Sequence, residues 1–311
     1  MNSIYETIKA AIDADTIFFE PPTLPDASDI QLRDGERWVP GAYEATVLRS
    51  DFRIKQHVWI NFRIAGTVKK ASEQPSADHL KKAESQIIKY SALSIADPVL
   101  SFLVSLKADK AKLRKIALKL ATESKKRESV KFAIVLLGYC GQEEDARILR
   151  DLSSHEEFTF YGAVALKNIL PAEEAQRQLL SLASRLHGWG KIAVLYELDY
   201  ENPEIRHWVL AYGCENQIGL SYLANVCAIK GKLLDELETL IAEDKIPEED
   251  LFDGICNIFR GLLENDPKND GIYEYPDAKA AAAAFRTLTE RDTPERQAAA
   301  ADILDALSKI F

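Results

Sequence analysis

Neither glycine nor proline is common in this chain, with 14 and 12 among 311 residues. Scarcity of both turn formers argues against architectures built of many short strands and favours helices. Cysteine is rarer still. Cys140, Cys214, Cys227 and Cys256 stand singly, with no CxxC and no Cys/His ligand spacing. That leaves no disulfide framework and no zinc site, and buried thiols in a reducing compartment are the expectation. Any apolar run of about 18 residues is also missing, so no membrane span is expected. The opening MNSIYETIKAAIDADTIFF carries Glu6 and Asp13 and no basic stretch ahead of an apolar one. No secretory signal is therefore expected, and the location that follows is cytoplasmic. No Gly-rich phosphate loop, HExxH or GxSxG occurs, and the five histidines are scattered. No catalytic residue, cofactor or metal is assigned.

What is present is an ordinary globular composition, 47% apolar and 28% charged. The net charge of −10 is unevenly spread. Residues 66–131 hold 15 Lys and Arg against 7 Asp and Glu, whereas residues 199–311 hold 11 against 23. An acidic C-terminal third repels phosphate backbones and disfavours nucleic acid as a partner, although the basic segment is the place where one would bind.

Small residues recur at a nearly fixed interval: Ala133, Gly162, Ala193, Ala224 and Gly254. The spacings are 29, 31, 31 and 30 residues. A period near 30 holds two helices of about 12 residues and two short turns. Between the anchors lie amphipathic stretches such as EEDARILRDLSS and LLDELETLIAED, with apolar residues at i, i+3 and i+4. Asn202-Pro203 places a capping residue before proline at the first helical position. A single helix pair of this kind cannot bury its apolar face alone, so neighbours must stack. The fold class that follows is all-α, a right-handed α-α superhelix of HEAT/armadillo-like repeats over 71–311. Three helices are expected in 76–124, broken near Asp97-Pro98 and Lys107–Asp109, and 276–311 forms a C-terminal capping pair. Residues 1–70 read as one helix followed by an irregular cap, with HVWINFRI (57–64) alternating enough to suggest a strand.

Binding candidates follow from the repeat. Lys131, Lys191 and Tyr222 occupy one equivalent position two residues before their anchors, alongside Phe160 and Phe252. On inner helices that row faces the concave groove, and a lysine within an apolar helix must reach water or a partner. His155 and His187 fall where the second helix of each repeat begins and would line an adjoining rim, either for binding or as helix caps. Glu156 follows His155 in a first turn where carboxylates complement the helix dipole. Trp189 sits between two glycines, as at a tight inter-helix corner or a close backbone approach.

RESVKFAIVLLG (127–138), HEEFTFYGAVAL (155–166), LHGWGKI (186–192), PEIRHWVLAYGCENQIGLSYLANVCA (203–228) and YEYPDA (273–278) together resemble a bacterial family of uncharacterised proteins with HEAT-like repeats. The resemblance covers roughly residues 120–280. It implies the architecture and carries no activity. A different HEAT-like family, which excises alkylated DNA bases, lines its groove with Lys and Arg, unlike this acidic chain. The expected function is a non-catalytic scaffold that binds a protein or peptide in the groove, since stacked repeats make long concave surfaces. The alternatives are a nucleic-acid-binding or DNA-repair protein acting through 66–131, and a small-ligand protein or enzyme around His155, Glu156, Trp189 and Lys191.

Overall fold

The computed structural model describes residues 2–27, 38–49, 58–264 and 271–311. Among them the chain forms seventeen α-helices and no strand. It divides into two compact units, Met1–Glu197 and Leu198–Phe311.

The N-terminal unit starts with α1 (Ile4–Asp13), closed by a reciprocal cap in which Ser3 Oγ accepts from the Glu6 N–H and Glu6 accepts from the Ser3 N–H. α2 (Ala42–Arg49) and α3 (Val58–Glu73) follow, then α4 (Ala77–Ile87), α5 (Ala92–Ser105) and α6 (Lys110–Glu123). The unit continues with α7 (Arg127–Cys140), α8 (Ala146–Ser153), α9 (Glu156–Ile169), α10 (Ala172–Ala183) and α11 (Trp189–Leu195). Alternate helices pack on one another, α3 on α5, α5 on α7, α7 on α9 and α9 on α11. The helices between them cover one side, and α1 lies against α6 and α8.

Two sequence expectations are corrected here. Residues 58–64 are the first turns of α3 and not a strand, and His57 lies outside the described residues. The buried positions are Asn61, Ile64, Ala65, Val68, Ala71 and Ser72, which is helical spacing, while Val58, Trp59 and Phe62 are exposed. The three helices in 76–124 are present, but Pro98 lies inside α5. The break falls instead at residues 88–91. Burial of Ile95, Ala96, Val99 and Leu103 between α3 and α7 holds α5 together across the hydrogen bond that proline cannot make.

The C-terminal unit runs through α12 (Pro203–Trp208), a π-helical turn (Val209–Gly213), α13 (Ser221–Lys230), α14 (Leu233–Ala242) and α15 (Glu249–Leu263). A short 3₁₀ turn at Gly271–Glu274 precedes α16 (Ala278–Glu290) and α17 (Pro294–Ile310). α13 packs on α15 and α15 on α17, with α14 against α16. The expected final helix pair is present.

The five small anchors sit on α7, α9, α11, α13 and α15. Ala133, Gly162, Ala224 and Gly254 are buried, and Ala193 is half-buried. Their role is steric. A Cβ on Gly162 would stand 1.7 Å from Ser153 Oγ of α8. One on Gly254 would meet the carbonyl oxygens of Leu210 and Ala211 in the π turn at 2.2 and 2.4 Å. Gly162→Leu is therefore expected to cost about 1–3 kcal/mol through overpacking. Gly254→Ala costs at least as much despite its smaller side chain, because the obstructing atoms are backbone. Urea unfolding of the two variants checks this, and midpoints equal to wild type would remove the steric role of the anchors.

Candidate functional site

Arg127 and Lys131 lie one turn apart on α7, so both point to one side of it. Glu157 and Tyr161 stand in the same relation on α9. The two pairs meet at the Glu157 carboxylate, whose Oε1 is 2.6 Å from Lys131 Nζ and 3.3 Å from Arg127 Nη1. The N-terminal segment closes over them. Glu44 of α2 accepts from Lys131 Nζ at 2.6 Å and from the Tyr161 hydroxyl at 3.2 Å. Asp26 accepts from the Arg127 backbone N–H at 2.7 Å and from its Nε at 3.2 Å. Glu128 lies 3.5 Å from Lys131 and also accepts from the Ala92 N–H at the start of α5.

His155 is the N-cap of α9. Its Nδ1 accepts from the Glu157 N–H at 3.2 Å, which leaves Nε2 to donate to the Pro22 carbonyl at 3.3 Å. Burial holds this imidazole neutral and lowers its pKa to about 4.

The centre of this cluster is buried, while Arg127 and Glu128 at its edge are half-buried. Lys131 and Glu44 are each 2% exposed, and so is His155. Burial alone would lower the Lys131 pKa, but Glu157, Glu128 and Glu44 outweigh it and hold the ammonium charged. Burial would likewise raise Glu157, yet Lys131 and Arg127 keep its carboxyl below the ordinary range. Tyr161 is driven well up by burial and by the negative charge of Glu44. The second oxygen of Glu44 is buried without a hydrogen-bond partner.

The chain matches no protein-family model, no curated protein and no solved structure.

The structure thus changes the expected groove row. Lys131 and Lys191 are buried rather than solvent-accessible, and the chain's own Glu44 meets Lys131. Tyr222 belongs to the C-terminal unit, on α13, and is half-buried. Lys126 and His155 are helix caps, and His187 directly precedes Gly188, the cap of α11. Glu156 receives the Gly188 and Gly190 N–H groups at 2.7 and 3.3 Å, which ties the start of α11 to α9. The glycines beside Trp189 are therefore places of close approach. A Cβ on Gly188 would stand 2.2 Å from Glu156 Oε2.

Several basic side chains of 66–131 face carboxylates of the same chain, Lys69 beside Glu73 at 3.7 Å among them. Others are Arg127, Lys131 and Arg114, the last bound to Asp145 at 2.7 Å and to Glu144. Among the described residues no group of three His, Cys, Asp or Glu could hold a metal ion, and no helix is long and apolar enough to cross a membrane. All four cysteines are buried.

Several openings flank the cluster, one of about 400 Å³ bounded by Arg127 and His155 themselves. A cleft of about 500 Å³ runs along α5, α7 and α9, with Leu100, Val135, Tyr139, Phe160, Val164 and Asn168 on its walls. A smaller pocket of about 240 Å³ lies between α2, α9 and α11 and shares Phe160 with the cleft.

Asp26, Glu44 and Glu157 escaped the sequence reading. Lys131 in an apolar helix signalled that an acid was required, but Glu44 lies 87 positions away and Asp26 lies 101 positions from Arg127. No local pattern connects them.

Proposed function

We propose that this chain is a non-catalytic binding scaffold, an α-solenoid of HEAT-like repeats, whose inner cleft receives a protein or peptide segment. The observation that carries this reading is the cleft along α5, α7 and α9, which is largely apolar with a few polar groups at its walls. Such a composition suits recognition of a side-chain-bearing chain. The packing of alternate helices supports the repeat architecture. The buried charges beside the cleft support a structural role, because Lys131, Arg127 and His155 each face groups of the same chain.

The test uses wild type and a Leu100→Arg, Val164→Arg double variant. Val164 is 37% exposed and Leu100 half-buried, so both sites accept a long polar side chain. A photoreactive residue at position 139 should crosslink one partner from native lysate in wild type, and that adduct should vanish in the double variant while helicity is unchanged. Identical crosslinks from both proteins would refute the cleft as the binding surface.

A further inference from the structure

We propose that the pocket between α2, α9 and α11, walled by Phe160, Trp189, Tyr196, Glu156 and Glu197, binds an alkylated ammonium group. This pocket shares only the Phe160 wall with the cleft, and its test does not depend on what the cleft receives.

Size comes first. At about 240 Å³ the pocket is smaller than the range of about 300–1,000 Å³ that takes a drug-sized ligand. It has room for one headgroup or one side-chain end. Chemistry comes second. Three of its nine lining residues are aromatic, and the remaining uncharged ones are Gly41, Ala45, Ile192 and Ala193. Both charged groups on its wall are carboxylates. With Glu197 already paired to Lys167, the carboxylate of Glu156 is what favours a cation over an anion, and aromatic rings on the wall add to that preference. Lys191, although on α11, does not line the pocket.

The hydrogen bonding then discriminates between cations. Glu156 already receives the Gly188 and Gly190 N–H groups, one on each oxygen. Glu197 Oε2 is 2.7 Å from Lys167 Nζ. A primary ammonium needs several acceptors to replace its water. An alkylated one carries few or no N–H groups, is weakly hydrated, and needs only nearby charge and π surface. Burial raises the pKa of Glu156 even against the backbone N–H groups that stabilise its anion, so this carboxylate gains from a neighbouring cation.

Calorimetric titration of the full chain with choline and with tetramethylammonium tests the site. The control is 3,3-dimethylbutanol, the neutral isostere of choline. A trimethyllysine peptide and its unmethylated twin separate a free ligand from a protein-borne one. Choline or the trimethyllysine peptide should bind while the isostere does not. Tyr196→Leu and Glu197→Gln should each weaken binding about five- to tenfold, the scale of one cation–π or ionic contact. Both positions are partly exposed, Tyr196 by 40% and the Glu197 side chain by 24%, so the variants retain the fold, as thermal unfolding will show. Binding of choline alone identifies a small molecule, and binding of the methylated peptide alone identifies a modified side chain; either supports the proposal. Equal binding of the isostere, equal binding of the unmethylated peptide, unchanged affinity in both variants, or no heat from any probe in the millimolar range would overturn it.

Discussion

Lys131→Met is expected to lower stability by about 3–5 kcal/mol, the cost of removing one partner from a buried ion pair. That is a large part of the roughly 5–15 kcal/mol that holds a typical domain. The reason is the company Lys131 keeps. Glu44 and Glu157 sit 2.6 Å from its Nζ and Glu128 3.5 Å away, and the lysine is 2% exposed. Removing the ammonium leaves three carboxylates facing one another with little water. Urea unfolding measures the loss. Limited proteolysis adds a local readout, since residues 38–49 should be cut faster once Glu44 loses its tether. Replacing Glu44 and Glu157 by glutamine in the same chain should recover part of the loss, because fewer unpaired charges then remain. A loss below about 1 kcal/mol, the range of an exposed pair, would mean that Lys131 is not enclosed as described.

The second large effect depends on pH. His155 titrates near 6.5 in an unfolded chain, and burial brings it to about 4 in the folded one. Between those values the unfolded chain takes up a proton that the folded chain refuses. Stability therefore falls as pH drops through this window, by on the order of 3 kcal/mol. His155→Asn keeps a side-chain acceptor for the Glu157 N–H, since asparagine is a good N-cap, and it should flatten that limb. Two neighbours titrate as well. Glu157, held below the ordinary carboxyl range, contributes stability that is lost only at lower pH, as pH falls through its depressed value. Glu128, raised by burial, acts in the opposite sense. Both are present in wild type and variant, so the difference between the two pH profiles isolates the histidine. Superimposable profiles between pH 7 and 4 would show that His155 is not buried neutral.

The helical architecture was legible because its signals are local and repeated. The small anchors fell on α7, α9, α11, α13 and α15, and Asn202-Pro203 began α12 as its chemistry requires, with Asn202 Oδ1 accepting from Glu204 N–H at 2.9 Å. α3 was misread because its most conspicuous residues point outward. Trp59 is 84% exposed, whereas Asn61 takes a core position. Pro98 suggested a break that tertiary packing overrides. The site was the least legible part. Repeat equivalence placed Lys131 and Lys191 in one row, which is a statement about helix faces. Whether that row meets solvent or another part of the chain depends on where residues such as Pro22, Asp26 and Glu44 lie, and they are placed by contacts of long sequence separation. Lys131 does reach a partner, as a lysine in an apolar helix must, but its shortest contacts are to the distant Glu44 and Glu157 rather than to the neighbouring Glu128.

The closure of the cluster by α2 has a consequence for synthesis on the ribosome. Glu44 is made well before its partner Tyr161, which is 117 positions further along. At about 5–20 residues per second, α2 waits on the order of ten seconds before α9 has emerged. Once Arg127 and Lys131 have been made, Asp26, Glu44 and Glu128 already exist, and Glu157 is the one acid of the cluster still to come. The segment that carries Glu44 is translated before the helices it covers and is seated only after them.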